Sequence, residues 1–234
     1  MTNVAMISGA SRGMGYAIAQ KLFSEGWSVS LGVRDVQKQT KICGDWQSDR
    51  LQICHYEAQN KESAQTWFNA TVKRWPSLKA LINCAGVLKT TSWLDEQSDA
   101  ELSELWQVNA VAPLQLTRVC FEALKVHGEG RVINVVSLSG LRVKAKMAGY
   151  PMSKHAQLAF HHAMRHTGYE FGIRATAICP GYTNTEMVKD FSPQDPKLMT
   201  QPEDVADMVN TILNLPNSSS VSVVPMNSLM EDLY

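Results

Sequence analysis

The chain has 234 residues and a mass of 26.0 kDa, enough to bury a full core without disulfide or metal staples. Hydrophobic residues make up 44% and charged residues 19%, which excludes a disordered chain. Twenty-two Lys+Arg balance twenty-two Asp+Glu, so a nucleic-acid or anionic-membrane surface is not expected to be the chain's main business.

Short apolar, β-branched runs alternate with helix-period segments along the chain. Strands are predicted at 4–8, 28–33, 51–55, 79–83, 131–137, 174–179 and 221–224. Helices are predicted at 14–25, 61–74, 98–126, 151–171 and 203–213. Residues 36–50 carry no clear pattern. Pro193, Pro196 and Pro202 mark an irregular loop over about 182–201. Strands joined by helices make βαβ units, hence an α/β fold with a parallel sheet covered on both faces. No linker, repeat or low-complexity tract divides the chain, so one domain over 1–234 is expected. No 18-residue apolar run occurs, and the start MTNVAMISGAS lacks the basic and apolar regions of a signal peptide. A cytoplasmic protein with no membrane contact is therefore expected.

The five cysteines (Cys43, Cys54, Cys84, Cys120 and Cys179) are odd in number, scattered and without a C-x-x-C pair. They read as small buried apolar residues in a reducing compartment. His161, His162 and His166 share a helical stretch without a ligand-spaced Cys or acid, so no metal site is expected.

The first strand runs into Ser8-Gly9-Ala10-Ser11-Arg12-Gly13-Met14-Gly15 and a helix follows. Glycines here permit a tight turn and let backbone N–H groups approach a pyrophosphate at the helix start. The spacing G-x-x-x-G-x-G differs from G-x-G-x-x-G. Taken alone, the motif is equally compatible with a plain strand-to-helix turn.

With the other motifs this turn resembles that of the single-domain short-chain dehydrogenase/reductase family. Asn83-Cys84-Ala85-Gly86 is similar to the family's N-[NC]-A-G after the fourth strand. Asn109 matches its helix asparagine, Ser137 its serine, and Tyr150 with Lys154 its Y-x-x-x-K pair. Pro180-Gly181 with Thr185 matches P-G-x-x-x-T. The resemblance runs from residue 8 to 185. It implies a Rossmann-type doubly wound sheet and an oxidoreductase that moves a hydride between a nicotinamide and a small carbonyl or alcohol substrate. It implies Asn109, Ser137, Tyr150 and Lys154 as catalytic residues. Tyr150 would be the general acid/base, Ser137 would hold the oxygen, Lys154 would tune Tyr150 and orient the ribose, and Asn109 would support a proton relay. The implied cofactor contacts are Gly9, Ser11, Arg12, Gly13, Met14, Gly15, Arg34, Glu57, Ala58, Asn83, Ala85, Gly86, Tyr150, Lys154, Pro180, Gly181, Thr183 and Thr185.

Spacing supports part of this assignment. Tyr150 and Lys154 lie four apart on one helix face, and Pro151 biases Tyr150 toward the helix start. A nearby ammonium is expected to favour the phenolate. Ser137 ends a strand, the edge where open α/β sheets bind ligands; Ser139 is a rival two residues on. Asn109 is also compatible with a helix-kink residue bonding the backbone.

Where the family's NAD-type members carry an acid after the second strand, this chain reads Val33-Arg34-Asp35. Arg34 and Arg12 suit a 2′-phosphate, so NADP(H) is expected in preference to NAD(H). The competing reading is Asp35 as a displaced ribose ligand. Segments 88–94, 138–149 and 182–201 are expected to form the substrate pocket. Arg142, Lys144 and Lys146 read either as a solvated basic loop or as contacts to an anionic substrate group. Met147, Met152, Met187 and Met199 read either as adaptable lining or as core. The tail after the last strand lacks the family's usual V-D-G-G-like segment. Pairing through the two long helices around the serine strand makes a homodimer or homotetramer the expected assembly. Two rival functions are a redox-inactive NADP-binding sensor or scaffold, and a nucleotide-sugar epimerase or dehydratase, for which the chain is short.

Overall fold

The computed structural model describes the chain except for residues 1–2, 47–48, 91, 95–98, 127, 144–145, 191 and 230–234. Seven parallel strands, β1 (Val4–Ser8), β2 (Ser28–Val33), β3 (Leu51–His55), β4 (Ala80–Asn83), β5 (Arg131–Val135), β6 (Arg174–Pro180) and β7 (Val223–Met226), form one sheet. Their order is β3-β2-β1-β4-β5-β6-β7. The helices are α1 (Gly13–Ser24), α2 (Val36–Ile42), α3 (Lys61–Arg74), α4 (Asp99–Trp106), α5 (Ala112–Lys125), α6 (Gly149–Tyr169) and α7 (Pro202–Leu213).

The near-continuous apolar strands reflect burial on both faces. Alternate side chains of β1 serve two cores. Ala5 and Ile7 pack with Ile18 and Leu22 of α1 and Val205 and Val209 of α7. Val4 and Met6 pack with Trp67 of α3, Leu116 and Leu124 of α5 and Met164 of α6. Strand order reverses between β1 and β4, which leaves a crevice beyond their carboxyl ends, where such sheets bind ligands.

Five elements differ from the sequence expectations, β5 among them, which ends at Val135 and leaves Ser137 two residues beyond the strand. Residues 36–42 form α2, a short, mostly exposed helix whose start is set by Asp35 accepting from Lys38 N at 2.9 Å. It has too few apolar positions to show a period. The helical region expected over 98–126 is α4 and α5 joined by a π-helical segment, Gln107–Val111; Ser98 lies outside the described residues. The last strand is shifted two residues on and includes Pro225, tolerated because β7 is an edge strand bonded only to β6. Helix α6 begins at Gly149, so Tyr150 lies inside its first turn and not ahead of it. Pro151 fits there because first-turn N–H groups have no intrahelical acceptor.

Among the described residues no helix is long and apolar enough to cross a membrane. Among the same residues, no group of three His, Cys, Asp or Glu is placed to hold a metal. All five thiols are free.

Candidate active site

The glycine turn is held open by backbone conformation and by close approach. Gly9 and Gly13 have φ of +69° and +55°, where side chains are strained. A Cβ on Gly9 would stand 2.7 Å from the Ala85 Cα, and one on Gly15 only 2.3 Å from the Gly9 carbonyl oxygen. The Ser8 hydroxyl locks this turn to the loop after β4, accepting from Cys84 N at 3.1 Å and Ala85 N at 3.2 Å. The start of α1 has no side-chain cap, in contrast to α2 and α3. Its first N–H groups are therefore open to an anion.

These segments wall a cavity of about 550 Å³. Its lining includes the expected Gly9, Ser11, Arg12, Gly13, Met14, Gly15, Arg34, Glu57, Ala58, Ala85, Gly86 and Thr185. Asn83, Tyr150, Lys154, Pro180, Gly181 and Thr183 are not part of the lining. Asn83 is buried in the sheet and donates to Thr117 Oγ1 and Asn134 Oδ1. Gly181 backs onto Asn227, and buried Thr183 pairs with Thr200 across a parallel bridge. Asp35 caps α2 and does not reach the cavity, whereas Arg34 does. Residues of the lining that the sequence reading passed over include Glu104 and Lys189. Lys189 pairs with Glu186 at 2.8 Å, and Arg12 lies close enough to influence both.

The four catalytic candidates converge where β5, α4–α5 and α6 meet. Ser137 follows β5; its hydroxyl donates to Pro180 O at 3.4 Å, accepts from Ser139 N at 3.1 Å, and lies near enough to Tyr150 to influence its phenol. Burial pushes the Tyr150 phenol above its ordinary value, and the nearby Ser137 hydroxyl partly opposes this. The sequence reading expected the Lys154 ammonium to favour the phenolate; in the protein chain alone burial dominates. Lys154 is buried, with Nζ 5.8 Å from the Tyr150 ring centre, and loss of solvation pulls it down to about 8. A Cβ on Gly86, in the cavity wall, would stand 3.7 Å from Lys154 Nζ and 3.3 Å from Asn109 Oδ1. Asn109, within the π-helical segment, clamps Val87 reciprocally: its amide donates to Val87 O and its oxygen accepts from Val87 N, both at 2.9 Å. It also donates to Ser153 Oγ at 3.0 Å, and Ser153 donates to Tyr150 O. The backbone-bonding reading of Asn109 is thus present in the structure.

Helix α6 is anchored to the sheet by buried polar contacts. His161 Nδ1 meets the Asn134 amide at 3.1 Å, and Nε2 meets Ser222 O at 3.0 Å. The carbonyl requires Nε2 to donate, so Nδ1 accepts and the ring is neutral. Burial pulls His161 down to about 4. Its depressed folded value means the unfolded chain takes up a proton first. Stability is therefore full above about pH 6.5 and falls as pH drops toward 4, by up to about 3 kcal/mol. Urea titrations at pH 7.5 and 4.5 are expected to show this loss, and His161→Gln to flatten it.

The expected substrate segments meet around the start of α6. Ser92 and Met147 form an antiparallel bridge. An apolar groove there is lined by Trp93, Trp106, Val143, Met147, Pro151 and Met152, with Lys146 and His155 at it. Arg142 is half-buried and Lys146 exposed; Lys144 lies outside the described residues. Of the four methionines, Met199 is core, Met187 lines the large cavity, and Met147 and Met152 line the groove. Residues 230–234 of the atypical tail lie outside the described residues.

A family model described as short chain dehydrogenase matches residues 3–196. The chain is 34% identical over 231 residues to an agropine synthesis reductase of Rhizobium rhizogenes, covering 99% of this chain and 54% of that protein. It thus spans about half the length of that curated relative. An alcohol dehydrogenase from Thermococcus sibiricus, solved with 5-hydroxy-NADP, superposes with a TM-score of 0.89 at 24% identity, covering 99% of both chains. A metagenomic short-chain oxidoreductase solved in complex with NADP superposes with a TM-score of 0.82 at 26% identity, covering 96% of both. With the motifs in order and their side chains gathered at one sheet edge, the chain belongs to the short-chain dehydrogenase family of oxidoreductases.

Proposed function

We propose that the chain is an NADP(H)-dependent carbonyl reductase or alcohol dehydrogenase acting on a small substrate. The observation that carries this reading is the gathering of Ser137, Tyr150 and Lys154 beside the cavity walled by the glycine turn, where Gly86 in its wall adjoins the Lys154 ammonium and Asn109. The cavity suits a dinucleotide: open helix N–H groups and Cβ-free walls fit a pyrophosphate. A nicotinamide bound there supplies or accepts the hydride. Arg12, Gly13, Met14 and Gly15 would hold its phosphates, with Asn83, Pro180, Gly181 and Thr183 as supports behind the wall. Ser137 would bind the substrate oxygen, and Tyr150 would pass it a proton. Lys154 would fix the ribose and set the charge near Tyr150, and Asn109 would hold the loop at Val87 in place.

The preference for NADP(H) rests on Arg34 and Arg12 at the cavity and on Asp35 being spent as a helix cap. The relative's name, a reductase, favours reduction as the working direction. The exposed apolar side chains Trp106 and Met152, on α4 and α6, support self-association through these helices. A cytoplasmic site fits the free thiols.

The test is cofactor oxidation with NADPH and NADH over neutral and acidic aldehydes and ketones. Turnover with NADPH is expected, and Arg34→Ala should reduce the NADPH-over-NADH preference about tenfold or more. An unchanged preference would remove Arg34 from the 2′-phosphate site. Tight NADPH binding without any turnover would favour a nucleotide-binding sensor.

A further inference from the structure

Lys154 is held by a partner that no family motif in the sequence picks out. Gln157, one turn further along α6, is 1% exposed, and its Oε1 accepts from Lys154 Nζ at 2.9 Å. The same ammonium donates to Val135 O, at the end of β5, at 3.2 Å. An ammonium has three donors. These two contacts orient it from its own helix and from the strand that leads to Ser137, and leave one donor for the side where Gly86 meets the cavity. A buried amide costs free energy unless it is bonded, so an apolar side chain would be the cheaper occupant of this position if packing were its only role.

We propose that Gln157 is a positioning residue of the active site, aiming the Lys154 ammonium at Tyr150 and the cofactor cavity and keeping it charged. This rests on the oxidoreductase reading for its functional consequence but not for its geometry. A neutral amide oxygen accepts from the ammonium form and stabilises it against burial. The other groups around Lys154 are Cys84 after β4, Cys179 in β6, and Tyr150 on α6 itself. Burial leaves both thiols protonated at neutral pH, Cys84 pushed up to about 12 and Cys179 to about 11. Gln157 therefore acts on a lysine with no paired carboxylate among the described contacts.

The test uses the full chain labelled with 13C at lysine Cε, with the Lys154 signal assigned through Lys154→Arg. Its titration is followed by NMR without cofactor. Gln157→Leu is expected to move the Lys154 midpoint down by about one pH unit, and Gln157→Glu to move it up. In turnover assays Gln157→Leu should lower kcat about tenfold or more and shift the alkaline limb of the pH profile the same way, with Gln157→Glu restoring it. Gln157→Met replaces Gln157→Leu if the latter does not fold. A Lys154 midpoint unchanged in the apolar variants would overturn the proposal. A shifted midpoint in a chain that turns over no carbonyl substrate would sustain the positioning role and count against the oxidoreductase reading instead.

Discussion

Tyr150→Phe is expected to lower kcat by about a thousandfold while leaving NADPH affinity nearly unchanged. The substitution removes one hydroxyl and keeps the ring that stands over Lys154 at 5.8 Å. It removes the hydroxyl near Ser137, so the substrate oxygen would lose its proton source. Because burial raises the Tyr150 pKa, the phenol is protonated at neutral pH in the chain by itself. That form donates a proton during carbonyl reduction, so reduction should be well supported at neutral pH. Oxidation needs the phenolate and should accelerate as pH rises. Steady-state rates in both directions, with fluorescence titration of NADPH, check these expectations. Full turnover in Tyr150→Phe would sink the acid/base assignment.

The second large effect is expected at Gly15. An added Cβ would stand 2.3 Å from the Gly9 carbonyl oxygen and 2.8 Å from its carbon, atoms of backbone that has nowhere to yield. Gly9 is itself packed against Ala85, so the strain would spread to the loop after β4. Gly15→Ala should weaken NADPH binding more than a hundredfold and destabilise the fold by about 1–3 kcal/mol. At this size each kcal/mol corresponds to about 2–4 °C in Tm. Gly44→Ala is the control: no atom lies within 4 Å of its Cβ position and its φ is ordinary, so both readouts should stay near the parent values. NADPH binding that survives Gly15→Ala would move the phosphate site away from this turn.

Much of the fold was legible because its cause is local. The two-faced burial of the sheet writes apolar runs such as Val4–Ser8 and Ser28–Val33 into the chain, and the glycines of the turn mark where a side chain has no room. Helix α2 was not legible, since seven mostly polar residues around one cap carry no period. The break of the long helix at Asn109 was hidden for a different reason. A π-helical turn is stabilised by what its side chain reaches, here Val87, which is 22 residues away.

The sequence by itself determined the α/β class and the order of the motifs, because strand period, turn glycines and helical spacing are short-range properties, and its resemblance to the family singled out Ser137, Tyr150 and Lys154. Only the tertiary structure decided which neighbours those residues answer to. It turned Asp35 into a helix cap, set Asn83 behind the wall, tied Ser8 to the loop after β4 and put Gln157 on Lys154. Hydrogen bonding and burial depend on groups brought together from distant elements, and burial is what moves Tyr150 up and Lys154 down.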